Sequence, residues 1–229
     1  MHVPDGFLDA PTSVATGVVA AAGIAVALRG ARRELDDRTA PMAGLVATFV
    51  FAGQMINFPV GAGTSGHLLG GALAAVLVGP WSAILCISVV LLVQALLMAD
   101  GGITALGTNI TLMALVGVAV GWGVFTLLRT VLPHRPGVIA PAAAVAALVT
   151  VPAAASVFAL LFAIGGTAPV DDGKVFVAMV GWHVVIGIGE AVITGLVVAS
   201  VMSTRPDLVH GARRVLARRT LEMREVAQR

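Results

Sequence analysis

The chain has 229 residues, of which 58% are hydrophobic and only 11% charged, with a mean hydropathy of +0.99. A soluble domain carries about 25% charged residues, so this composition excludes one, and continuous rather than alternating apolar runs argue against a β-barrel. The formal charge of +2 and the pI near 9.5 do not indicate a nucleic-acid partner, because the charges are placed as in a membrane protein.

Seven apolar segments follow in chain order: 11–29, 41–59, 67–80, 82–98, 104–130, 138–164 and 175–202. Crossing a bilayer takes about 20 residues. The expected fold is therefore an all-α polytopic membrane bundle of about seven transmembrane helices over residues 1–202, with a basic tail at 203–229. In the first segment, apolar residues from Ala10 to Leu28 precede Arg29, Arg32, Arg33 and Arg38. A secretory signal peptide has the reverse order. This order places the N-terminus outside and the arginines inside. The second segment, 41–59, ends in NFPVGAGTSG, on the outer side. The third, HLLGGALAAVLVGP, covers only about 21 Å at 1.5 Å per residue, short of the roughly 30 Å core. It reads as a half-membrane helix behind a re-entrant loop. The fourth contains Cys86, the single cysteine, which reads as a small buried residue and allows no internal disulfide.

The charges agree with this topology. Of the 14 Lys+Arg, 13 lie in the inner loops, the tail or the adjoining helix ends; Lys174 is the exception. Asp5, Asp9, Asp100, Asp171 and Asp172 all fall outside. The tail reads as an amphipathic cytoplasmic helix, with Val209, Val215, Leu216 and Leu221 on one stripe and arginines around it. It suits the anionic inner leaflet or a cytoplasmic partner. Gly66/Gly70 and Gly117/Gly121 have the small-xxx-small spacing of close helix packing.

Several chemistries are absent. GTAPVDDGKV has the wrong spacing for a phosphate loop and puts Val175 where a hydroxyl is needed. H-E-x-x-H and G-x-S-x-G are missing, so nothing supports an enzyme. Any ATP must be hydrolysed by another chain.

The outer face carries the positive signal. Met1 offers an α-amine, and His2 an amide nitrogen and an imidazole. With the amide deprotonated, amine to amide closes a five-membered chelate ring, and amide to Nδ1 a six-membered one. Three nitrogens then lie in one plane, a geometry that Ni(II), Cu(II) and low-spin Co favour and Zn(II) does not require. One position remains open. The candidate for it is His67, on the same side, behind glycines that let backbone pass close by. Pro4 restricts Val3 to extended conformations, which helps hold the tip. Taken singly, His2 reads as an exposed side chain and His67 as a polar helix-start residue; together on one face they read as a site.

Other polar groups lie deeper. His183 and Glu190 are seven apart and share a helix face, about 12 Å and 22 Å from the outer end. A mid-membrane acid is costly and marks a pathway or a hydrogen-bonded packing position. It also allows a different transporter, a proton-coupled one working through Glu190 and His183. Asn57, Thr64, Ser65 and Asn109, with Gln54 and Thr111, either satisfy irregular backbone or orient a metal ligand.

MHVPDGFLD, NFPVGAGTSGHLLGGALAAVLVGPW, ADGGITALGTNITLMAL and HVVIGIGEAVITG, in that order, resemble the CbiM/NikM family. These are the substrate-binding membrane subunits of energy-coupling-factor transporters for cobalt and nickel, and the resemblance runs from Met1 to about Met202. It implies seven transmembrane helices in a prokaryotic plasma membrane and an N-terminal loop inserted from outside. It implies a metal held by the Met1 amine, the His2 amide and imidazole, and the His67 imidazole. Ni(II) or Co(II) is then cargo, with no cofactor. The implied partners are a transmembrane coupling subunit, two cytoplasmic ATP-binding subunits and a small accessory membrane subunit. Pro4 and Asp5 are similar to nickel-type starts.

Overall fold

The computed structural model describes residues 1–36, 39–61 and 64–218. Each expected segment contains a helix. These are α1 Ala10–Ala31, α2 Ala40–Gln54, α3 Gly71–Val78, α4 Pro80–Leu97, α5 Leu106–Asn109, α6 Gly117–Val131, α7 Ile139–Gly165 and α8 Asp172–Thr204. α5 and α6 are joined through a π-helical stretch, Ile110–Val116, into one rod of 26 residues. Five helices are long and apolar enough to cross a membrane: α1, α4, the 106–131 rod, α7 and α8. α2 is apolar but shorter. Val14, Leu92, Leu97, Val185 and Leu196 are exposed on these helices, where lipid rather than water would cover them. The protein is a multi-pass membrane protein.

Helix ends follow from local chemistry. Asp9 accepts from Thr12 N–H at 2.9 Å and caps α1, and Asp171 does the same for α8 through Lys174 N–H at 3.0 Å. Such caps satisfy N–H groups that have no partner within the helix. The second segment stops at Gln54, earlier than expected. Pro59 cannot continue a helix, and the chain instead forms a two-stranded antiparallel hairpin, β1 Phe58–Gly61 with β2 Thr64–Gly66, pairing Phe58 with Gly66 and Pro59 with Ser65.

α3 is a half-membrane helix of eight residues, all buried. A helix apolar on every side belongs inside a bundle. It packs against α6 through small residues: a Cβ on Gly71 would lie 2.8 Å from Gly117 C, and one on Gly121 2.8 Å from Ala72 Cα. α3 turns into α4 at Gly79, whose φ of +96° and ψ of 154° occupy a region essentially restricted to glycine. There the buried Glu34 carboxylate accepts from Trp81 N–H, Ser82 N–H and Ser82 Oγ at 3.2, 2.7 and 2.9 Å. The α1–α2 loop thus caps α4 from outside its own helix.

Beyond α8 the tail turns through short 3₁₀ segments. Val209, Ala212 and Val215 are buried in the core cluster, with Leu216 partly buried against it. Leu221 lies outside the described residues.

Candidate metal centre

Residues 1–9 enter the bundle from the outer side. Met1 and Val3 are fully buried, His2 is 5% exposed, and Phe7 and Leu8 are buried. The sequence supplies backbone partners along this segment. Val3 N–H donates to Asn109 Oδ1 at 2.7 Å, and Val3 O accepts from Asn109 Nδ2 at 3.1 Å and Gly102 N–H at 2.9 Å. Asp5 Oδ1 accepts from Thr104 N–H and Oγ1 at 2.7 and 2.5 Å. These bonds hold the exposed Asp5 carboxyl below its usual range. Further out, Thr167 N–H donates to Phe7 O, Asp9 N–H donates to Gly165 O, and the Phe7 ring leans on Phe162 at 5.0 Å. Buried backbone needs such partners. Gly101, with φ +86°, closes the loop against the tip; a Cβ there would sit 3.1 Å from His2 Cδ2.

The segment delivers His2 against His67. Their rings stack at 4.4 Å and 29°. His2 Nε2 lies 3.2 Å from Gln94 Oε1. His2 Nδ1 lies 3.2 Å from Asp100 Oδ1, an ion pair when the ring is protonated. The His2 ring, with Asn57 Nδ2 at 3.1 Å from the other carboxyl oxygen, holds Asp100 below its usual range. Burial pulls the Met1 amine from 8.0 to about 4, against the opposing charge of Asp100. At neutral pH the amine is therefore unprotonated, with its lone pair free. His67 is 1% exposed; Nδ1 donates to Leu68 O at 2.7 Å, and Nε2 has no partner.

The backbone after His67 is fixed from two sides. Leu69 N–H and Gly70 N–H donate to the two Glu190 oxygens at 2.6 and 3.0 Å, and Gln54 Nε2 donates to Leu69 O at 2.9 Å. Glu190 is fully buried. His183, two turns outward on α8, is also buried; Nδ1 donates to Met179 O at 2.7 Å and Nε2 is unpartnered.

Of the residues singled out in the sequence, Met1, His2, His67 and Asn109 thus come together around the tip, while His183 is buried on α8 with its ring bonded to its own helix. Asn57 reaches the tip through Asp100. Thr64 and Ser65 lie in β2, which leads to His67. Thr111 Oγ1 donates to Thr16 O, tying the π-helical stretch to α1 rather than to the tip. Gln94 and Asp100 were not anticipated as neighbours of His2. A lone amide near the end of an apolar helix was the available signal for Gln94. Among the described residues no group of three His, Cys, Asp or Glu side chains could hold a metal.

Residues 2–208 match CbiM, the cobalt uptake substrate-specific transmembrane region. The chain belongs to the CbiM family. A cobalt transport protein CbiM of Sorangium cellulosum is 35% identical over 91% of this chain and 94% of its own. A Haloquadratum walsbyi protein whose name provisionally assigns it to metal transport is 40% identical over 91% and 93%. A crystal structure described as a truncated transition metal transporter superimposes with a TM-score of 0.83 at 31% identity, over 89% of this chain and 99% of that one. The relatives of this CbiM-family chain are metal transport proteins, not enzymes, and its fold is that of a cobalt/nickel transport membrane protein.

Proposed function

We propose that this CbiM-family chain captures Ni(II) or Co(II) at the outer membrane face as the substrate-binding subunit of an ATP-driven energy-coupling-factor importer. The observation that carries this reading is the convergence at the buried tip of the Met1 amine, the His2 ring and the unpartnered His67 Nε2. Leu68 O accepts from the His67 Nδ1–H and leaves Nε2 to ligate, while the His2 ring, between Gln94 Oε1 and Asp100 Oδ1, gives up any proton on Nδ1 when it ligates. Metal-binding histidines typically donate their second nitrogen as His67 does. The unprotonated Met1 amine and the His2 amide complete four nitrogens. Loss of the amide proton and the charge of Asp100 together balance a divalent ion. The stacked rings must turn for both nitrogens to meet one ion.

Pumping requires partners: a transmembrane coupling subunit, two ATP-binding subunits and a small accessory membrane subunit. A fused nickel transport protein NikMN of Rhodobacter capsulatus, of which this chain covers 37%, supports membership of a larger assembly. The rival reading, proton coupling through Glu190 and His183, has less support, because both Glu190 oxygens already accept backbone N–H bonds.

The test is Ni(II) and Co(II) binding to the purified chain with one glycine placed before Met1. That change turns the amine into an amide at a position with no spare room. Binding is expected to be lost, and unchanged affinity would sink the amino-terminal site. His67→Ala is expected to weaken binding while leaving the Met1–His2 chelate.

A further inference from the structure

At the opposite, cytoplasmic end, α6 and the tail enclose a cavity of about 650 Å³. Its apolar wall is Trp122 and Phe125, whose rings stack at 5.5 Å and 29°. Its polar wall is Arg129, Arg213, Arg214, His134 and His210. No carboxylate lines it among the described residues. Arg213 donates to a carbonyl, Glu34 O at 3.2 Å, and Arg129 has only a 3.5 Å approach to Pro133 O. Arg205 behaves differently, since it meets Asp207 at 2.9 Å outside this cavity. Arg129, Arg213 and Arg214 therefore line one space with no carboxylate partner there among the described residues.

His210 reports the resulting field. Its ring stands edge-on to Trp122 at 5.5 Å, and its enclosed Nδ1 has no partner among the described residues. Burial, then the charges of Arg213 and Arg214, hold its pKa down to about 4. Its neutral ring can donate to an anion oxygen. The cavity lies where the positive-inside ends of the helices meet the inner headgroups, and basic pockets between helices at that level suit lipid phosphates. A lipid headgroup would set its phosphate among the arginines and its glycerol against the half-buried Trp122, whereas a free phosphate would use the arginines alone.

We propose that this cavity binds the headgroup phosphate of an anionic phospholipid of the inner leaflet, between Arg129, Arg213 and Arg214 and against Trp122 and Phe125.

The test is native mass spectrometry of the intact chain with phosphatidylglycerol or phosphatidylcholine of identical acyl chains. Phosphatidylglycerol is expected to survive detergent removal where phosphatidylcholine does not. Each of Arg129→Gln, Arg213→Gln and Arg214→Gln is expected to lower its retention about fivefold, the effect of one cation near an anionic surface. Arg214 is exposed, so its variant tests the site without disturbing the fold, and Ni(II) affinity at the outer face serves as the folding control. Equal retention of the two lipids, or of phosphatidylglycerol by wild type and variants, would overturn the proposal. Displacement by inorganic phosphate or by an acidic peptide, with no lipid preference, would overturn it in favour of another anion.

Discussion

Glu190→Gln separates an anchoring carboxylate from a proton carrier. The fully buried carboxylate accepts from Leu69 N–H at 2.6 Å and Gly70 N–H at 3.0 Å, two and three residues beyond His67. Glutamine has nearly the same size but only one acceptor oxygen. Its amide NH₂ must face one of the two donors, leaving a buried N–H without an acceptor. That costs about 1–3 kcal/mol, and relaxation of the backbone to recover the bond draws His67 off its position. Bringing His67 back to the metal repays up to that cost, so Ni(II) affinity should fall by up to about 5- to 150-fold. The assay is a competition titration of the purified chain, read together with the visible d–d absorption of bound Ni(II). Exchange of the His67 nitrogen for water weakens the ligand field and moves the band to longer wavelength. Unaltered affinity and an unaltered band, with uptake abolished, would refute the anchoring role and favour proton coupling.

Asn109→Ala removes both bonds to Val3; at about 1–3 kcal/mol for the orphaned N–H alone, hydrogen-exchange protection of residues 1–9 should fall at least about fivefold. Protection equal to wild type would mean that Gly102 and Thr104 suffice. Lowering pH should undock the tip. The Met1 amine takes up a proton near 8.0 when released and only near 4 when buried, so docking is at full strength above pH 8 and weakens as pH falls toward 4. The slope approaches about 1.4 kcal/mol per pH unit, and proton release from the His2 amide adds to it when metal binds. Ni(II) titrations at pH 8, 7 and 6 check this, and a flat dependence would contradict a buried amine. Gly79→Ala places a Cβ 2.5 Å from the Glu34 carboxyl carbon at a glycine-only conformation; a loss of about 1–3 kcal/mol should appear as a lower Tm in detergent.

The sequence by itself determined the helical segments, their orientation and three residues of the candidate centre. Those features are local: apolar length and flanking charge act within one segment, and the chelating pattern of Met1 and His2 spans a single peptide bond. The half-membrane helix α3 was legible for the same reason, as a run too short to cross. What the tertiary structure decided is everything that joins distant segments. Gln94 meets His2 across 92 residues, Asn109 meets Val3 across 106, and Glu190 meets Leu69 across 121. No periodicity encodes such pairs, because each depends on how buried polar groups find partners once the helices have packed. Glu190 illustrates the difference. As a mid-membrane acid it fitted either a pathway or a packing role, and only the folded chain puts both its oxygens on the backbone that carries His67. The hairpin at 58–66 likewise replaced the end of an expected span, because Pro59 denies the helix a continuation while Ser65 offers its neighbour strand a partner.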